Sequence, residues 1–149
     1  MIEPKQLLEY AQHPELALQN LPELFALLDS EDETLQNYAT EALENCGPPR
    51  PQDHPSLQLR LRSEKASEVY WSSTLLGRAK EQLEKPGQVA SVQQALGAVI
   101  QRDSLDVSAR ERAAWAIHEL GPADSDLKAQ LQKMIPQAAP RLKRLLEAI

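Results

Sequence analysis

Sliding residues 21–43, LPELFALLDSEDETLQNYATEAL, along the chain by 33 positions lays them in phase on residues 54–76, HPSLQLRLRSEKASEVYWSSTLL. Pro22 meets Pro55, Leu24 meets Leu57, Leu28 meets Leu61, Ser30 meets Ser63, Glu31 meets Glu64 and Leu43 meets Leu76. Tyr38 falls on Trp71. A third copy runs through 92–122, where Leu96 and Ile100 take the places of Leu57 and Leu61, and Ile117 that of Leu76 after a longer loop. Self-similarity at this period constrains the fold more than any single motif, because one unit has an apolar face it cannot bury alone and must stack on its neighbours.

Each unit reads as an apolar helix, a short polar turn and a second amphipathic helix. Leu21, Leu24, Leu27 and Leu28 recur at helical spacing, followed by Leu35, Ala39, Ala42, Leu43 and Cys46. Composition agrees. The chain has 24 Leu and 19 Ala against five Val and five Ile. Unbranched and small side chains lose little rotamer freedom in a helix, whereas β-branched ones favour strands. The expected fold class is all-α. Aligned along the second helices, positions 39/72/113, 42/75/116, 43/76/117 and 46/79/120 form the expected buried stripe. Small residues at 39, 42, 113 and 116 let neighbouring helices approach closely. Ser30 with Glu33, and Ser108 with Glu111, match the S-x-x-E capping box. Gly47 and Gly121, each followed by proline, read as helix stops.

With 149 residues the chain suits one domain of ordinary size. No apolar run approaches the ~18 residues of a membrane span. The opening MIEPKQLLEYAQ lacks the basic flank and apolar stretch of a secretory signal, and the single Cys46 allows no internal disulfide. A cytoplasmic location is expected. The net charge of −6 is unevenly placed: residues 1–48 hold ten acids and only Lys5, leaving the remainder net positive. DSEDE (29–33) reads first as a solvated helix-to-helix turn, and alternatively as part of an acidic end that would repel nucleic acid and anionic membrane.

The units PELFALL (22–28) with ATEAL (39–43), and AAWAI (113–117) closing on Gly121 and Pro122, resemble HEAT and HEAT-like (PBS-lyase-type) repeats. The resemblance spans about residues 15–146. It implies a right-handed α-solenoid of about three to four helix pairs in a single domain over 1–149, with repeats near 15–47, 54–80, 88–122 and 124–149. The helix around Leu7, Leu8 and Ala11 and the C-terminal RLKRLLEAI are the expected caps, and PRLKRLL (140–146) repeats the opening of a first helix. The second copy departs from the pattern with its short, charged QLRLRS. The proline-rich GPPRPQDHP before it is a link.

In arrays of this kind the second helices line the concave surface. The resemblance therefore makes the face at 37/70/111, 41/74/115 and 44/77/118 the candidate groove. Tyr70 and Trp115 are its candidate aromatic anchors, with Glu41, Glu44, Arg78 and His118 beside them, although Trp115 is read first as sealing a seam between repeats and only second as an exposed anchor. Trp71 reads as packing. His13, His54, His118 and Cys46 have no zinc-ligand spacing. The pair His118–Glu119 resembles one arm of the di-iron site of HEAT-type hydroxylases, but the equivalent positions, Glu44–Asn45 and Gly77–Arg78, supply no second arm. No P-loop, nucleophile elbow or dinucleotide fingerprint occurs. No catalytic residue, metal or cofactor is expected. The leading expectation is a non-enzymatic scaffold that holds another protein or peptide. The alternatives are a nucleic-acid-binding HEAT-like protein, drawing on Arg102, Arg110, Arg112, Lys128, Lys133, Arg141, Lys143 and Arg144, or a lyase- or chaperone-type accessory protein.

Overall fold

The computed structural model describes residues 3–85 and 87–149. Every regular element among them is helical, with no strand. The α-helices run in the order α1 (Pro4–Gln12), α2 (Pro14–Gln19), α3 (Leu21–Ala26), α4 (Glu33–Asn45), α5 (His54–Arg60), α6 (Ala66–Gly77), α7 (Gln88–Ile100), α8 (Val107–Leu120), α9 (Ser125–Gln132) and α10 (Pro140–Glu147). They gather into two compact units, Met1–Arg50 and Pro51–Ile149, and the boundary falls inside the proline-rich link.

In the N-terminal unit α1 lies along α4, with α2 and α3 also against α4. Proline sets the breaks. Pro14 and Pro22 stand in the first turns of α2 and α3, where a missing amide N–H is tolerated but a through-running helix is not. Leu7, Ala17, Leu21, Leu24, Phe25 and Leu28 are buried with Ala39, Ala42, Leu43 and Cys46.

In the C-terminal unit α5 packs on α6, α7 on α8, and α6 and α8 lie side by side in the most extensive helix contact of the chain. The stripe expected along the second helices is buried at every position: Ala39, Ser72 and Ala113, then Ala42, Leu75 and Ala116, then Leu43, Leu76 and Ile117, then Cys46, Ala79 and Leu120. Leu24, Leu57 and Leu96, and Leu28, Leu61 and Ile100, on or just after α3, α5 and α7, are buried too.

A second regularity lies in the hydrogen bonds. The carbonyls of Leu28, Leu61 and Ile100 lie at or just past the ends of α3, α5 and α7 and would otherwise be orphans of the last turn. Each accepts from a side chain: Gln36 Nε2 donates to Leu28 at 2.7 Å, the Arg102 guanidinium to Leu61 at 3.0 Å, and Arg110 Nε to Ile100 at 2.8 Å. Likewise the backbone N–H groups of Asp32 and Lys65, 33 positions apart, each donate to the serine two residues earlier, Ser30 and Ser63, at 3.1 Å. At the other end of α8, buried Gln93 donates to the carbonyls of Ile117 and Gly121. Gly47 and Gly121 terminate α4 and α8 with positive φ of 71° and 115°, conformations that disfavour any side chain with a Cβ.

Three expectations are corrected. The caps of α4 and α8 are Asp32 and Asp106 rather than Ser30 and Ser108, since a carboxylate two residues away is an equally good acceptor. Asp106 accepts from both the hydroxyl and the backbone N–H of Ser108, which holds its carboxyl below the ordinary value of 3.8. PRLKRLL does not stand as a first helix: α10 packs on the second helix α8, while α9 packs on α7. Its stripe of Leu142, Leu145 and Leu146 fits either position, so periodicity alone could not choose. Finally, Thr74 and Gly77, assigned to the open groove, are buried where α8 covers α6.

The burial of α6 extends to Ser72, Ser73 and Thr74, all at 0 % exposure. Ser72 and Thr74 donate to carbonyls one turn back, those of Glu68 and Tyr70. The Ser73 hydroxyl has no partner among the described residues. A buried hydroxyl without a hydrogen bond costs about 1–3 kcal/mol. Ser73→Ala should therefore raise stability by about 1 kcal/mol, helped by the helix propensity of alanine, as a higher urea midpoint at unchanged slope will show.

Candidate functional site

Three helices of the C-terminal unit place side chains around one hollow of about 230 Å³. Tyr70 comes from α6; Ser108, Glu111, Arg112 and Trp115 come from α8; Arg141 and Leu145 come from α10. On α8 the spacing of Ser108, Glu111 or Arg112, and Trp115 by three or four residues puts them on one face. Adjacency of α6 and α10 to α8 supplies the walls.

Arg112 organises the hollow. Its guanidinium carbon lies 3.9 Å from the centre of the Trp115 ring and 5.1 Å from that of Tyr70. Its Nε donates to Thr74 Oγ1 at 2.8 Å, and that hydroxyl in turn donates to the Tyr70 carbonyl. Two aromatic faces and one hydrogen bond thus fix the planar fork, each cation–π contact contributing about 0.5–2 kcal/mol. The two terminal nitrogens make no hydrogen bond among the described residues. At the rim, Arg141 Nε lies 3.3 Å from Glu111 Oε2, with the arginine side chain 80 % exposed and the glutamate 15 %.

Tyr70 and Trp115, the two anchors named from the sequence, are both half-buried and meet at this hollow. Trp115 is partly a seam residue as well: a Cβ on Gly77 would sit 2.7 Å from its ring. Trp71 is buried and meets Tyr70 edge-on, with ring centres 5.3 Å apart. The other four sequence-chosen residues lie elsewhere. His118 is exposed on α8, with Nδ1 at 3.2 Å from the Ala148 carbonyl, outside the hollow. Arg78 caps α6 through its backbone N–H. Glu41 and Glu44 are exposed on α4, in the N-terminal unit.

Sequence reasoning placed Arg112 in the basic tally, and missed its central position. The signal was its spacing of three from Trp115 on a helical face. Among the described residues no group of three His, Cys, Asp or Glu is placed to hold a metal ion, and no helix is long and apolar enough to cross a membrane. Compared with protein-family models, curated proteins and solved structures, the chain matches none of them.

Proposed function

We propose that the chain is a HEAT-like array of helix pairs, wound as a right-handed α-solenoid, that acts as a non-enzymatic scaffold for another protein or peptide. What supports the repeat reading is the common burial of the aligned stripe and the capping of three equivalent first-helix carbonyls by side chains. The observation that carries the binding reading is the Tyr70–Arg112–Trp115 stack around a half-open hollow. Tyrosine, tryptophan and arginine are the residue types that dominate interface energetics, because each offers a large, stiff contact area together with polar groups.

A double alanine change at Tyr70 and Trp115 would confuse folding with binding, since Trp115 also covers Gly77. The better variant is Tyr70→Ser with Arg141→Ala, which spares the seam. Affinity capture from native lysate, quantified by mass spectrometry, should lose its partner at least about tenfold in this variant. Circular dichroism should stay helical. The control Leu59→Ser, at a 67 % exposed residue on α5, should capture normally. Equal capture by all three proteins would overturn the assignment of this face.

A further inference from the structure

The Arg112 fork is immobilised on three sides and leaves its two outer nitrogens aimed at no protein acceptor. An arginine so held has already given up the rotamer entropy that ordinarily opposes binding, and its paired N–H groups match the two oxygens of a planar acid. We propose that the hollow is a carboxylate-binding site, which takes the side chain of an Asp or Glu carried by the bound peptide. This deepens the scaffold reading above and rests on it for the peptide, though not for the carboxylate.

Charge selects the class of anion. Arg112 and Arg141 face the hollow with Glu111 as the one acid among its lining residues, so it carries one net positive charge. Glu111 is mostly buried and paired with Arg141; the planar Arg112 fork matches the two coplanar oxygens of a carboxylate, and a phosphate dianion costs more to desolvate against the aromatic walls than a single carboxylate does. The aromatic rings and Leu145 give the methylene stem of an acidic side chain an apolar surface to lie on. Capture of a chain terminus ordinarily uses a nest of loop backbone amides, whereas these walls are helix side chains. At the rim, the exposed Arg141 stays paired with Glu111 and offsets that carboxylate's charge, leaving the Arg112 fork to take the incoming acid.

The test uses the full chain and four probes, read by the assigned Arg112 Nε–Hε and Trp115 indole resonances. N-acetylglutamate α-amide presents a side-chain carboxylate, N-acetylglutamine presents only a terminal one, and inorganic phosphate and sodium chloride are matched in ionic strength. Saturable shifts are expected with N-acetylglutamate α-amide, weak for so small a ligand, with at least about threefold lower affinity for the other three. Arg112→Lys keeps the charge but loses the fork, and should weaken binding about tenfold. Arg141→Ala, at a mostly solvent-exposed side chain, gives a second variant, checked as folded by circular dichroism, and should weaken binding about threefold. Tighter binding of phosphate or of N-acetylglutamine would overturn the assignment of ligand. So would equal shifts with chloride, or undiminished binding by Arg112→Lys. If Tyr70→Ser/Arg141→Ala loses its partner while none of the carboxylates registers, this inference fails and the scaffold reading stands. If the carboxylate registers but capture is unaffected, the reverse holds.

Discussion

Gly77→Val is expected to destabilise the C-terminal unit by about 2–3 kcal/mol and to lift Trp115 off α6. Gly77 is buried in α6 facing α8. A Cβ there would lie 2.7 Å from Trp115 Cζ3, 3.1 Å from the Ala116 Cα and 3.1 Å from its Cβ. The ring can give way, but the Ala116 backbone belongs to a packed helix and cannot. Valine adds two further carbons and gains little in helix propensity, so overpacking dominates. Alanine at the same position adds one carbon and gains about 1 kcal/mol of propensity; its net loss should be clearly smaller. Trp71 and Trp115 both lie in the C-terminal unit, so urea unfolding followed by tryptophan fluorescence reads this transition directly. A valine variant as stable as the parent would mean that α6 and α8 are not pressed together at this point.

Ile117→Ala should cost more, about 3–4 kcal/mol, as large-to-small changes do at fully enclosed sites. Ile117 is 0 % exposed and closes the column of Leu43 and Leu76, which are equally buried. Its carbonyl is also held by Gln93, so the surrounding helix has little freedom to collapse into the void. Glu119→Ala, two residues on and exposed, should change stability by less than about 0.5 kcal/mol. The same urea titration compares them. Equal midpoints for the two variants would remove Ile117 from the core.

These positions were legible because burial writes itself at helical period: the offset of 33 pairs the first two copies, and a longer step across the third copy's loop completes the aligned triplets. The face beside them was harder. Thr74 and Gly77 look like groove residues in sequence because neither is large and apolar. Threonine disappears into the interior by bonding the Tyr70 carbonyl, and glycine by letting Trp115 approach. Arg112 was misjudged for a related reason. Hydrophobic patterning counts arginine as a solvated residue, while its planar head here stacks between two aromatic rings. The caps slipped because Ser30 and Asp32, like Ser108 and Asp106, offer competing acceptors within one turn of each other.

The arrangement at the centre of this structure is α6 beside α8, with Trp115 sealing their seam and carrying the Arg112 stack that is proposed to meet a partner. Its most direct test is a nuclear Overhauser spectrum of the full chain in solution. Cross-peaks are predicted from Gly77 Hα to the Trp115 ring and to the Ala116 methyl, together with Arg112 side-chain protons shifted upfield by the rings. A Trp115 ring whose cross-peaks lead instead to α7, with none to Gly77, would contradict it.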